Sequence, residues 1–321
     1  MERTMSKKIA FLFPGQGSQY PGMAKDFYET YAEARAVFEE ADEFLGEKFS
    51  KLIFEGPADV LTQTKNSQLA IYIVSIAILR VIQKQFPDLK PQVCAGLSLG
   101  EYTALYASGR ISFSEGLSLV RDRALYMQQA CEEKEGSMRV VLGLESSQVE
   151  EMMQEISLKA EAWVANMNCP GQVVIAGTKE GLEYASEVLK AKGAKRILPL
   201  EVSGAFHSGL MKSARDKLSP KINSVSLSSS PIQFVMNVPG DYVTSAEEVR
   251  QFLVQQVTSP VRWEKGMRKM MEQGVDLYIE IGCGSTLTGM NKKMGAPSSL
   301  SIQKISDLDE LAKIKDTVCT C

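Results

Sequence analysis

The sequence predicts an α/β protein: a body built on a mostly parallel sheet, interrupted by a small subdomain of order β-α-β-β-α-β. Three observations carry this expectation. Short apolar runs alternate with helical patterns along most of the chain, as in strands joined by crossover helices. The middle of the chain breaks that alternation by placing two strand patterns back to back. The length of 321 residues, 44% of them hydrophobic, suffices for one large body with an insertion at ~100–200 residues per domain.

Taken in order, Ile9–Phe13 reads as a buried first strand that runs into the glycine-rich Pro14-Gly15-Gln16-Gly17-Ser18-Gln19. Helical patterns cover Ala24–Leu45 and Gln68–Phe86, the second ended by Pro87, which cannot continue a helix. Val93–Leu97 is a second short strand. Leu99–Ser108 and Ser114–Glu132 follow as helices. The inserted pattern then runs strand Met138–Leu142, helix Ser146–Leu158, strands Ala162–Asn168 and Gln172–Ala176, helix Lys179–Lys192 and strand Lys195–Val202. This order is the ferredoxin-like arrangement, a unit able to close around its own small core. The predicted boundaries are therefore 1–133 and 203–321 for the large body and 134–202 for the insertion. Beyond it lie a strand at Ile232–Met236, helices at Ala246–Val257 and Val261–Gln273, and a strand at Leu277–Ile281. The polar tail from Asp307 to Cys321 reads as frayed.

Composition excludes several classes. The net charge of −3, from 36 basic and 39 acidic residues, argues against a nucleic-acid binder that works through bulk charge. The longest apolar run, Leu69–Leu79, is bounded by Gln68 and Arg80, short of the ~18 residues of a membrane span. The apolar Ile9–Phe13 ends at Pro14-Gly15 and does not match a secretory leader, so a cytoplasmic location is expected. The six cysteines show no Cys-x-x-Cys spacing, and the single histidine, His207, leaves no metal-ligand cluster. Any imidazole base must be His207.

The sharpest local signal is Gly96-Leu97-Ser98-Leu99-Gly100 between a strand and a helix. Glycines flanking a serine permit a tight reversal that lifts the hydroxyl above the sheet edge, the geometry of a nucleophile elbow. Ser98 with Glu101 also matches a capping box, in which the serine merely closes the helix end. His207, in Ser203-Gly204-Ala205-Phe206-His207-Ser208, is either the base for that serine or a structural histidine. Chain order speaks against an α/β-hydrolase, whose histidine comes last among the core elements. The loop Phe13–Gln19 fails as a phosphate loop, because Gly17-x-x-x-x-Gly22 is followed by Met23-Ala24 rather than Lys-Ser/Thr. It suits an oxyanion-stabilising turn with exposed amides. Arg123 falls on the inward arc of its helix with Val120, Ala124, Met127 and Cys131, while Arg121 lies at the margin. A guanidinium there needs an ion-pair partner or a substrate carboxylate.

These stretches together (FPGQGSQ, GLSLGE, VRDRALYMQ, NCPGQVVIAG, SGAFHS, QVTSPVRW and EIGCGSTL) resemble the malonyl-CoA:acyl-carrier-protein transacylases and the acyltransferase domains of polyketide synthases, over roughly residues 7–305. The resemblance implies a hydrolase-like α/β body with a ferredoxin-like insertion. It implies Ser98 as the acyl-carrying nucleophile, His207 as general base and then acid, and the amides of Gln16 and Leu99 as the oxyanion hole. It further implies that the main-chain carbonyl of Gln256 orients His207 and that Arg123 holds the malonyl carboxylate. Phe206 corresponds to the bulky residue of malonyl-selective members. The reaction so implied moves malonyl from malonyl-CoA to the phosphopantetheine thiol of acyl carrier protein, supplying fatty-acid synthesis. It needs no metal or organic cofactor, no nucleic acid and no membrane, and a monomer is expected. Carrier proteins of this kind are acidic, and Arg268-Lys269 and Lys292-Lys293 are the candidate docking pairs.

Two positions depart from the family pattern. Leu97 stands where a histidine is usual, and Cys283 where a proline is usual. A serine thioesterase, in which water completes the reaction, and a non-catalytic carrier-binding module are the competing readings. The absence of a late histidine disfavours the first of these.

Overall fold

The computed structural model describes residues 7–318. Its strands are β1 Lys8–Phe13, β2 Val93–Gly96, β3 Ser137–Leu142, β4 Ala162–Cys169, β5 Gln172–Gly177, β6 Arg196–Pro199, β7 Gln233–Met236, β8 Asp241–Val243, β9 Val275–Ile281 and β10 Ser299–Ile302. They form a six-stranded sheet of order β10-β9-β1-β2-β7-β8 and a four-stranded sheet of order β4-β5-β3-β6. The chain divides into two compact units. One comprises residues up to Val120, Leu227–Val235 and Met270 onwards; the other comprises Arg121–Ser226 and Met236–Lys269.

In the first unit β1 pairs in parallel with β2 and β9, β9 with β10, and β2 with β7. After Lys8 every residue of β1 is buried, which is why this strand reads as a continuous apolar run rather than an alternating one. The register sets Phe13 opposite Gly96 and Leu12 opposite Glu280. The loops that leave β1, β2 and β9 therefore emerge at one carboxyl edge of the sheet, where parallel α/β sheets carry their chemistry.

The long helix Thr64–Gln85 covers this sheet's unit with a nearly unbroken buried surface from Ser67 to Leu79. It is long and apolar enough to cross a membrane, yet 83% of its most apolar window is buried inside the protein, as in a core helix. Its first turn begins four residues before the expected Gln68, because Thr64 and Ser67 are themselves buried.

The second unit contains the four-stranded sheet. All its strand pairs are antiparallel, and the order of elements is β3, helix Ser146–Ser157, β4, β5, helix Lys179–Ala191, β6. That is the ferredoxin-like arrangement expected from the sequence. Its core includes Val141, Val149, Met153, Ile175, Leu182 and Leu189. Side chains of this kind contribute about 1.5–3 kcal/mol each when fully buried.

Two expectations need correction. The single helix expected over Ala24–Leu45 is two, Lys25–Thr30 and Ala32–Leu45, because Tyr31 is extended at φ −113° and ψ 126° between them. The tail expected to fray instead forms a helix, Asp307–Val318, with Leu308 and Leu311 buried. Its start is tied down: the Asp307 carboxylate accepts from the amides of Gln303 and Lys304, and Asp26 accepts from that of Ile305. Residues 319–321 lie outside the described part of the chain.

Candidate active site

Two clusters emerge, one in each unit. In the first, β2 turns into the helix Gly100–Ala107 through Leu97, Ser98 and Leu99. Ser98 has φ 53°, one of three non-glycine residues with positive φ among those described, and His207 at φ 58° is another. Such a conformation costs on the order of 1–3 kcal/mol and persists only where the surroundings enforce it. Here the flanking glycines permit the close main-chain packing around it. A Cβ on Gly96 would collide with the main chain of Gly100 and Glu101, and one on Gly100 would collide with the Phe13 carbonyl. The Leu97 amide donates to that same carbonyl at 3.0 Å, and the Glu101 amide to the Ser98 carbonyl at 3.1 Å. The N-cap of the helix is Leu99, with no side-chain cap bond, so Ser98 does not occupy the position a capping box requires.

The Pro14–Gln19 loop packs beside this turn, with Gly15 so close that a Cβ would stand 2.5 Å from the Leu97 carbonyl oxygen. Among the described residues the amides of Gln16 and Leu99 donate no hydrogen bond to a protein acceptor. The Gln16 side chain is held separately, donating to Thr64 Oγ1 at 3.3 Å. Leu97 is half-buried beside Ser98.

In the second unit His207 is 3% exposed. Its Nδ1 lies 2.9 Å from the Gln256 carbonyl oxygen. A carbonyl can only accept, so Nδ1 carries the proton and Nε2 presents the lone pair. Burial, and then the charge of Arg123, lower the imidazole pKa from 6.5 to about 4, against opposing contacts from the Gln256 and Ser259 main chain. The ring is therefore neutral at pH 7. Its loop is braced from within: Ser208 Oγ donates to the Ala205 carbonyl at 2.6 Å and accepts from the Leu210 amide at 3.2 Å. Phe206, next to the histidine, is buried.

Arg123, on the helix Phe113–Glu133, is 1% exposed, and its Nη2 donates to Gln256 Oε1 at 3.0 Å. Gln256 itself is fully buried at the end of the helix Ala246–Gln256. One residue thus holds the guanidinium with its side chain and the imidazole with its main chain. Val120, Ala124 and Met127 share the buried face with Arg123, whereas Arg121 is exposed beside Asp122.

Arg268 is bound to Glu264 at 2.7 Å, and Lys292 and Lys293 are exposed at the end of the helix Thr286–Lys293. Cys283 is buried behind the Pro14–Gln19 loop. Ser18 and Gln19 belong to the FPGQGSQ stretch, which assigns neither a role of its own, and both shape that loop. Ser18 Oγ donates to the Gly15 carbonyl at 2.9 Å, and Gln19 Oε1 accepts from the Gly17 amide at 2.8 Å. For Ser18 the signal is a hydroxyl placed three residues after a turn glycine.

Known proteins resemble this chain over most of its length. The acyl transferase domain family matches residues 10–306. The malonyl CoA-acyl carrier protein transacylase of Bacillus subtilis (strain 168) is 43% identical over 288 residues, covering 89% of this chain and 90% of its own. The crystal structure of the malonyl CoA-acyl carrier protein transacylase from Clostridium perfringens superposes with a TM-score of 0.91 at 36% identity, covering 97% of this chain and 98% of that one. A type II PKS acyl-carrier protein in complex with its malonyl-transacylase matches with a TM-score of 0.90 at 38% identity, over 96% and 99% of the two chains.

Proposed function

Because the chain belongs to the acyl transferase domain family, we propose that it moves malonyl from malonyl-CoA to the phosphopantetheine thiol of acyl carrier protein, through an ester on Ser98, and so supplies fatty-acid synthesis. The observation that carries this reading is the double use of Gln256. It sets a neutral imidazole and a buried guanidinium within reach of a single residue, which pairs a base with a carboxylate binder. The names of the relatives, and the carrier-protein complex of one neighbour, support malonyl and carrier protein as the two substrates.

In the first half-reaction the Ser98 oxygen attacks the thioester carbonyl and its proton passes to His207 Nε2. The oxyanion is stabilised by the amides of Gln16 and Leu99, two donors with no acceptor among the described residues. Collapse breaks the carbon–sulfur bond, and His207 returns the proton to the coenzyme A thiolate. In the second half-reaction His207 takes the proton of the carrier thiol, the thiolate attacks the ester, and Ser98 leaves with that proton. A histidine held at a pKa of about 4 is a free base throughout the neutral range. Arg123 grips the distal carboxylate, which acetyl lacks, and Phe206 crowds a methyl branch. Lys292-Lys293, exposed and adjacent at a helix end, and Arg268-Lys269 are the candidate docking pairs for an acidic carrier. The route uses only side chains and amides of the chain, with malonyl-CoA as substrate, and is suited to a cytoplasmic protein.

Intact-mass measurement after mixing with malonyl-CoA tests the reading. A malonyl adduct is expected on the wild type and none on Ser98→Ala; holo carrier protein should then discharge the adduct as malonyl-carrier. Release as free malonate in the presence of carrier, or an adduct that survives in Ser98→Ala, overturns it.

A further inference from the structure

The peptide between Gly15 and Gln16 carries both the Gly15 carbonyl and the Gln16 amide. A trans peptide is planar, and its C=O and N–H point in opposite directions. Whatever fixes the direction of the Gly15 oxygen therefore fixes the direction of the Gln16 proton. That oxygen accepts from Ser18 Oγ at 2.9 Å. Ser18 Oγ in turn lies 3.2 Å from Cys283 Sγ. A serine hydroxyl has one proton. Since it is given to Gly15, the thiol must be the donor to Ser18. Burial pushes the Cys283 pKa up to about 11, so the thiol keeps its proton at neutral pH.

The chain of contacts continues behind the cysteine. Cys283 sits in the turn that leaves β9, and its neighbour Gly284 is anchored from β10 and beyond: Ser301 Oγ donates to the Gly284 carbonyl at 2.7 Å, and the Gly284 amide donates to Gln303 Oε1 at 3.2 Å. Parallel pairing of β1 with β9 places this turn on the same sheet edge as the Pro14–Gln19 loop. On the far side, Gly15 approaches the Leu97 carbonyl too closely to admit a side chain, so the peptide cannot drift away from the Ser98 turn without breaking that packing.

We propose that Cys283 and Ser18 are positioning residues, a thiol-to-hydroxyl-to-carbonyl relay that locks the Gly15–Gln16 peptide with its N–H aimed as an oxyanion donor. The inference rests on the reading of Gln16 as part of the oxyanion hole. Neither residue touches substrate; both act through the peptide plane. Cys283 is thereby a structural hydrogen-bond donor, and its thiol is no nucleophile.

The test is steady-state malonyl transfer to holo carrier protein by Ser18→Ala, Cys283→Ala, Cys283→Ser and the Ser18→Ala/Cys283→Ala double variant. A loosened oxyanion donor lowers kcat and leaves ground-state binding alone, so Ser18→Ala should lose about 10–100-fold in kcat, with KM for malonyl-CoA within about twofold. Cys283→Ala should lose about 3–10-fold, and Cys283→Ser, which restores an O–H donor, should recover most of it. Because the thiol acts only through Ser18, the double variant should be no slower than Ser18→Ala alone. Losses that multiply in the double variant, losses that fall on KM, or equal rates for alanine and serine at 283 overturn the proposal. Should Ser18→Ala fail to fold, the contrast between alanine and serine at 283 decides. Ser98→Ala, measured alongside, separates the two levels: an ester that still forms in that variant refutes the reading of the site, whereas loss of the ester with an unaltered kcat in Ser18→Ala refutes only the relay.

Discussion

Replacing Arg123 by alanine removes a guanidinium that is 1% exposed and already oriented by Gln256 Oε1 at 3.0 Å. In the proposed reaction that group meets the malonyl carboxylate in a desolvated place. A hydrogen bond to a charged group contributes ~1.5–3 kcal/mol. At 1.4 kcal/mol per tenfold, kcat/KM for malonyl-CoA should fall roughly 10- to 150-fold. Acetyl-CoA offers no carboxylate, so its transfer should change by no more than about threefold, or improve as a buried charge disappears. The substitution also takes away the second cause of the depressed His207 pKa and leaves the first, burial, in place. The acid limb of the rate profile should therefore move up but stay below 6.5. The assay is parallel transfer of malonyl and acetyl from their coenzyme A thioesters to holo carrier protein, read as acylated carrier by mass, across pH. Equal losses for the two acyl groups would refute the assignment of Arg123 to the carboxylate. A lysine in its place keeps the charge without the bidentate fork and should fall between wild type and alanine.

Two further substitutions test the frame of the site. Gly100→Ala drives a Cβ into the Phe13 carbonyl and should cost about 3–5 kcal/mol in urea unfolding. Gly289→Ala, on an exposed helical position with nothing within 4 Å, should instead stabilise by ~0.5–1 kcal/mol, and equal effects at the two glycines would contradict the close approach. His207 makes stability depend on pH. Its pKa is lower folded than unfolded, so between 6.5 and about 4 the unfolded chain binds more protons, and stability is lost as pH falls through that window. The share is ~3 kcal/mol, and His207→Gln should flatten the stability curve by about that amount between pH 6.5 and 4; an unchanged curve would show that the ring is not held neutral.

Much of the frame could be read from residue patterns because periodicity reports burial. The unbroken apolar run Ile9–Phe13 gave a central parallel strand, and the paired strand patterns at Ala162–Asn168 and Gln172–Ala176 gave the ferredoxin-like sheet. Where the pattern misled, a single backbone conformation or a tertiary bond decided. Nothing in the identity of Tyr31 announces that it is extended between two helices. The tail from Asp307 looked too polar to hold, yet it is fixed by carboxylate-to-amide bonds from distant or looping segments that leave no periodic trace.

The candidate site divides along the same line. Arg123 is visible in the sequence because a charge on an inward arc violates the pattern around it, and Ser98 because only glycines tolerate the crowding on either side. The groups proposed to act on them are largely main-chain atoms: the Gln256 carbonyl on the imidazole, and the Gln16 and Leu99 amides for the oxyanion. Every residue supplies such atoms, so no composition or spacing distinguishes the ones that matter. What can distinguish them is the restraint on their peptide planes, and that restraint comes from ordinary side chains. Ser18 holds one plane from three residues away, and Cys283 holds Ser18 from across the sheet edge. Substitutions that leave every proposed reacting group in place should therefore change the rate at this site, which is why the contrast between serine and alanine at 283 is the more searching measurement than removal of the nucleophile.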